Sequence, residues 1–237
     1  MFMGLGVVYV TCLLLSNLVA GKLIAVGGLV LPAAAILFPV TYIFGDIFTE
    51  VYGFRNSRLV IWLGFACNLL AVGVYLLAVW LPHPEFWTGQ AAYETVFSTT
   101  PRVLFASLAG YLFGEFSNAI VLSKLKVVMN GRRLWVRTIG STIVGEAFDT
   151  VIFITLVFRG TVAADVLLQM ILLQYAWKVA YEVVLTPATY AAVRKLKGIE
   201  GIDVYDRGIR YGLFGCGAAF GFSKRPAGGQ NGEGNGR

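Results

Sequence analysis

Five charged residues sit deep inside segments otherwise built for lipid, and this conflict constrains the chain more than any other feature. Six long apolar segments run at about 5–26, 33–52, 59–81, 103–123, 134–158 and 165–193. Glu115, Glu146, Asp149, Lys178 and Glu182 each fall a dozen or more residues into theirs. Twelve residues of helix rise roughly 18 Å, past the middle of a ~30 Å hydrocarbon core. A charge there costs about 2.5–3.5 kcal/mol even on insertion scales. Such charges persist only where they pair, line a wet cavity or hold a polar ligand.

Composition settles the solvent. The chain is 57% hydrophobic and 14% charged, with a mean hydropathy of +0.74, whereas soluble domains carry about 25% charged residues. Each apolar segment is long enough for one helical span, and the last is long enough to tilt or protrude. Alternating barrel strands of about ten residues are absent. The expectation is an all-α integral membrane protein, a six-transmembrane-helix bundle spanning 1–211, followed by a Gly-rich disordered tail at 212–237.

The net charge of +6 could suggest nucleic acid, but its distribution points to a membrane. Fifteen of the 19 Lys and Arg residues fall at Arg55 and Arg58, at 124–137, and from Arg194 onward. The alternate loops hold only Lys22, Arg102 and Arg159. The positive-inside rule then places both termini in the cytoplasm. No Lys or Arg precedes the first segment, whose apolar run exceeds that of a secretory signal. The outer loop at 82–102 is rich in Pro and interfacial aromatics, so a short interfacial helix is expected there. Asn130–Gly131 marks a turn.

Most catalytic chemistries fail on inventory. His83 is the only histidine, and Cys12, Cys67 and Cys216 lack ligand spacing, so neither a metal site nor a Ser–His triad is expected. No phosphate-binding GxxxxGK[ST] motif is present.

The polar residues recur at helical spacing. Glu115 and Asn118 share one face, with Tyr111 a turn earlier. A carboxylate that accepts and an amide that does both suit a planar, nucleobase-like ligand, and they equally suit an interhelical hydrogen bond. Glu146 and Asp149 are again three apart, with Ser141 and Thr142 a turn below. Two carboxylates this close disfavour double ionisation, so the pair is a proton site or is completed by a cation, Lys178 among the candidates. Gln174, Lys178 and Glu182 form a stripe flanked by Trp177 and Tyr181, whose rings could stack on a flat ligand. A Lys178–Glu182 pair would merely neutralise itself. Lys178 is the only base at this depth, facing four carboxylates. Asp46 and Glu50 lie near an inner end, within reach of Arg55, Arg58 or Arg137. Asn17 is a further ligand candidate, and Asn68 a packing contact. Gly110 and Gly114, with Ser141 and Gly145, make small-xxx-small steps expected to pack helices within the bundle.

The segments SNLVAGKLI, FPVTYIFGDIFTEVYG, GEFSNAIVLSKLK, RTIGSTIVGEAFDTVIF and GIDVYDRG together resemble the bacterial queuosine precursor transporter family, also called a vitamin uptake transporter family. The likeness runs from about residue 10 to about 211. It implies a six-helix, inner-membrane importer of 7-cyano-7-deazaguanine or its aminomethyl relative. The family's motifs fall on Asp46, Glu50, Glu115, Asn118, Arg137, Ser141, Glu146 and Asp149. The family is also similar to substrate-binding subunits of energy-coupling vitamin transporters, so a separate ATPase module and a homodimer both remain compatible with the sequence.

The expected ligand site therefore comprises Glu115, Asn118, Ser141, Glu146, Asp149, Lys178, Asn17 and Trp177, with Phe116 as an alternative stacking ring. Asp46, Glu50, Arg137 and Glu182 are expected in gating or salt bridges. No cofactor is called for, and the carboxylates admit proton coupling. A competing class is an intramembrane enzyme on a lipid or isoprenoid, using Glu146 and Asp149 as acid and base or as magnesium ligands. It lacks a DDxxD-like cluster at a membrane face.

Overall fold

A computed structural model describes residues 1–19, 22–26, 29–97, 101–209 and 211–213. Helix α1 covers Phe2–Val19. An antiparallel hairpin of β1 (Leu23–Val26) and β2 (Leu29–Pro32) follows, with Leu23 opposite Pro32 and Val26 opposite Leu29. A 3₁₀ turn at Ala33–Ile36 leads into α2 (Phe38–Tyr52). Then come α3 (Phe54–Trp80), α4 (Gln90–Phe97), α5 (Pro101–Val128), α6 (Leu134–Phe158) and α7 (Ala164–Glu200).

The hairpin departs from an all-helical expectation. The first apolar segment does not stay helical to residue 26, because LIAVGGLVLP is β-branched and carries Gly27–Gly28 between two apolar runs, a strong two-residue hairpin signal. The second segment is consequently shorter as an α-helix than expected. At 15 residues, α2 is roughly 22 Å long. Four helical stretches, Phe2–Val19, Phe54–Trp80, Gln90–Val128 and Leu134–Phe158, are long and apolar enough to cross a membrane by length and composition. The fold is that of a helical membrane protein. The 37-residue α7 runs roughly 56 Å, longer than a bilayer core, and therefore protrudes. The disordered tail expected at 212–237 falls, from residue 214 on, outside the described residues.

Small residues set the tightest contact, between α5 and α6. A Cβ on Gly145 would lie 2.8 Å from the Asn118 Cβ and 2.9 Å from the Gly114 carbonyl oxygen. A Cβ on Gly110 would lie 2.7 Å from Asp149 Oδ1. These glycines pack helices within the bundle, as their spacing predicts, and hold the polar faces of α5 and α6 against each other.

The layering is that of a membrane protein. Leu70, Leu173 and Val184 are exposed, while Arg137, Lys126, Glu50 and Glu146 are buried. An apolar cluster of Tyr9, Phe48, Tyr52, Val60, Leu134 and Val193 ties α1, α2, α3, α6 and α7 together. Beyond α3, the expected interfacial helix is present as α4, whose Phe97 packs on Tyr75 at 4.8 Å between ring centroids.

Candidate functional site

Two buried polar layers run through the bundle. The inner one centres on Glu50, near the end of α2. Its carboxylate takes Lys197 Nζ at 2.6 Å and an ion pair from Arg137 Nη1. Arg137 spends its other nitrogens on the carbonyls of Arg132 at 3.2 Å and Gly131 at 3.0 Å. Lys126 Nζ donates to the Glu50 carbonyl oxygen at 2.5 Å, to Asp203 at 2.7 Å and to the Val204 carbonyl oxygen at 2.6 Å. Lys197 also reaches Asp203 at 2.8 Å. Burial pushes the Asp203 carboxyl up, but hydrogen bonds from Lys126 and Lys197 and their two charges outweigh it and hold it below the usual range. The expected Glu50–Arg137 pair is thus present, in a network of three cations and two carboxylates.

That network is covered by the segment after α7. Gly201 ends α7 in a left-handed turn with φ of 66°. The chain then crosses the α2–α3 junction, where Val204 N donates to the Val51 carbonyl at 3.2 Å. Asp206 Oδ2 accepts from the Phe54 amide at 2.8 Å and from Ser123 Oγ at 2.6 Å. Gly53, with φ of 81°, has no side chain to cap α3, and Asp206 serves as that cap from 152 residues away. Lys126, Lys197 and Asp206 were not among the expected site residues. The only sequence signal for them is the closing GIDVYDRG motif, whose contacts are all long-range.

The deeper layer holds the mid-helix charges. On α5, the Glu115 carboxylate lies over Gly45 of α2, so closely that a Cβ there would sit 3.0 Å from Oε2. Asn118 Nδ2 donates to Asp46 Oδ1 at 3.0 Å, while Asn118 Oδ1 and Asp46 Oδ2 are buried without a hydrogen-bond partner among the described residues. On α6, Glu146 pairs with Lys178 Nζ at 2.9 Å, and Asp149 pairs with the same nitrogen. Glu146 Oε1 and Glu182 Oε1 are buried and accept no hydrogen bond among the described residues, and the hydroxyls of Thr142 and Thr150 make none there. Glu115 lies within electrostatic reach of Asp149 and Glu182. Tyr111 donates to the Ile61 carbonyl at 3.2 Å and meets Tyr9 at 2.9 Å.

Several expected placements change. Asn17 is exposed, and its neighbour Ser16 faces inward instead, because helical rotation turns successive residues to different sides. Trp177 is 42% exposed and Gln174 is exposed, so neither faces the polar layer. Phe116 is buried in an apolar cluster with Phe54, Ile61 and Ala119 rather than beside Glu115. The Ser141 hydroxyl is turned back onto its own helix, donating to Thr138 O at 2.9 Å. Lys178 bridges across to α6 instead of pairing with Glu182 along α7. Asp46 bonds an amide rather than an arginine. Asn68 is buried in α3, as a packing contact should be.

Chemically, the deeper layer offers carboxylate and amide oxygens aimed inward, with one ammonium already committed to two of the carboxylates. Such a surface receives hydrogen-bond donors. Among the described residues, no group of three or more His, Cys, Asp or Glu side chains is arranged to hold a metal ion.

A family model described as "Putative vitamin uptake transporter" matches residues 32–192. A relative from Bacillus subtilis (strain 168), described as a "Probable queuosine precursor transporter", is 32% identical over 187 residues, covering 78% of this chain and 81% of the relative. No solved structure matches the chain.

Proposed function

The chain belongs to the vitamin uptake transporter family, and from that premise we propose that it imports a 7-deazaguanine queuosine precursor across the bacterial inner membrane. The transported base leaves chemically unchanged. One observation carries the reading. Glu115 and Asn118 stand one turn apart on α5, both buried, with Asn118 Oδ1 awaiting a donor. A deazaguanine presents adjacent ring and exocyclic N–H donors, which a single carboxylate accepts together. Its carbonyl and pyrrole N–H remain for a neighbouring amide.

In this reading Glu115 takes the guanidine-like edge and Asn118 takes the remaining polar edge. Glu146, Asp149 and Lys178 form an internally neutralised floor beside them. Gly45, Gly114 and Gly145 keep the backbones of α2, α5 and α6 close enough to frame the base. A donor-rich base replaces hydrogen bonds that the buried oxygens otherwise lack. An analogue without those donors leaves them unpaired, and this is the larger source of discrimination.

The topology belonging to this function is six spans with both termini in the cytoplasm, and cargo passes by alternating access around the deeper layer. Convergence of Lys126, Arg137 and Lys197 at one end supports that orientation, since those are the basic stretches the positive-inside rule assigns to the cytoplasm. The deciding experiment uses a cell unable to make its own precursor and lacking an importer. It is given low external 7-cyano-7-deazaguanine, and queuosine is measured in its tRNA. Wild type restores queuosine and a well-expressed Glu115→Gln does not. Restoration by Glu115→Gln at wild-type level would remove the carboxylate from cargo recognition.

A further inference from the structure

Of the carboxylates in the deeper layer, Glu146 and Asp149 share Lys178. That leaves another pair with no cation beside it among the described ion pairs. Asp46 is 1% exposed and Glu182 is 3% exposed. They belong to α2 and α7, which pack together. Among charged groups, Glu182 acts most strongly on Asp46, ahead of Glu115 and Glu50. Each keeps one oxygen, Asp46 Oδ2 and Glu182 Oε1, without a hydrogen-bond partner among the described residues. Two buried carboxylates facing each other cannot both remain ionised without a cation, and a proton shared between them relieves the repulsion.

The surroundings identify the cation. Asp46 meets Asn118 and Glu115 from α5, Glu182 from α7 and Glu50 on its own helix. From α1, Tyr9 stacks edge-on against Phe48 of α2, and from α3, Ser57 is engaged by Thr49. Glu182 meets Asp46, Glu115 and, on α6, Glu146. Acidic groups surround the pair. A metal ion such as sodium needs several oxygens converging at once, and the described residues show no metal-holding cluster. A proton needs one oxygen on each side.

Asn118 connects this pair to the cargo. It is 2% exposed, donates to Asp46 through Nδ2, and leaves Oδ1 unpartnered. With Asp46 ionised, the amide is held with its carbonyl free for a donor on the base. With Asp46 protonated and donating, the amide turns and offers Nδ2 instead. We propose that Asp46 and Glu182 form the site of a coupling proton, and that Asn118 reports its occupancy to the cargo. The proton enters from the outer water onto a carboxylate oxygen and leaves to the cytoplasm, with no bond made or broken in the base. The coupling role rests on the import reading above, whereas the proton site itself can be read without any cargo.

Infrared spectroscopy of the full chain in nanodiscs reads it directly. At neutral pH, wild type shows a protonated-carboxyl C=O band. Asp46→Asn and Glu182→Gln each remove or shift it, while Glu85→Gln, in the exposed outer loop, leaves it in place. Absence of the band, or its survival in both variants, overturns the proposal. In sodium-free proteoliposomes, wild-type accumulation of 7-cyano-7-deazaguanine rises with an inward proton gradient, and both variants lose that dependence. Accumulation driven by sodium alone, or indifferent to the gradient in wild type, overturns the coupling. A wild type that shows the band yet takes up no base overturns the cargo reading and supports the proton site.

Discussion

At the scale of single residues, glycines and one arginine do what no substitute can. Gly145 faces Asn118, and a methyl there has nowhere to go. Gly145→Ala should separate α5 from α6 and cost about 1–3 kcal/mol of stability, the usual penalty for overpacking. Thermal unfolding in detergent measures it, and cargo affinity should fall alongside because Asn118 moves. Arg137 divides its guanidinium between Glu50 and two carbonyls. Lysine keeps the charge but not the fork. Arg137→Lys should therefore lose about 1–3 kcal/mol by stranding a buried carbonyl. An unchanged melting temperature would mean the carbonyls find other donors.

Among elements, the segment 201–213 behaves as a strap across the α2–α3 junction. Its grip is polar and specific: Asp206 caps α3, Val204 pairs with Val51, and Arg58 and Trp62 bind the carbonyls of Gly212 and Leu213 at 2.9 and 3.0 Å. Gly53 admits it, since a Cβ there would lie 2.7 Å from Val204 Cγ1. Asp206→Ala should leave the Phe54 amide unpaired and cost about 1–3 kcal/mol. Hydrogen exchange at the first turn of α3 should quicken, while the middle of α6 stays protected. Equal protection in wild type and variant would assign the cap a negligible role.

For the molecule as a whole, the inner network makes stability depend on pH. Asp203 is held below its ordinary range by Lys126 and Lys197 despite burial pushing the other way. A carboxylate depressed on folding contributes stability that is fully present above its unfolded value and lost as pH falls through its folded value. Wild type should therefore be more stable than Asp203→Asn at neutral pH, with the gap narrowing as the solution is made acid. Melting temperatures of both proteins across that range test it, and a gap constant with pH would assign the effect to packing.

How much of this was legible in the sequence differs by feature. Helical period and bilayer thickness fix the apolar segments, and charge depth fixes which residues need partners, because both depend on distance along one helix. Glu115 with Asn118, and the glycine steps beside them, were readable for that reason. The sequence did not show which helix faces which. Asn17 and Trp177 turned outward, Phe116 turned into an apolar cluster, and Lys178 chose α6 over its own neighbour Glu182. The hairpin at 23–32 was hidden because short apolar runs have no period of their own. The sequence by itself determined a helical membrane chain and the charges it must reconcile. Only the tertiary structure decided the pairing, because a buried charge is satisfied by whichever element packing brings within hydrogen-bond reach.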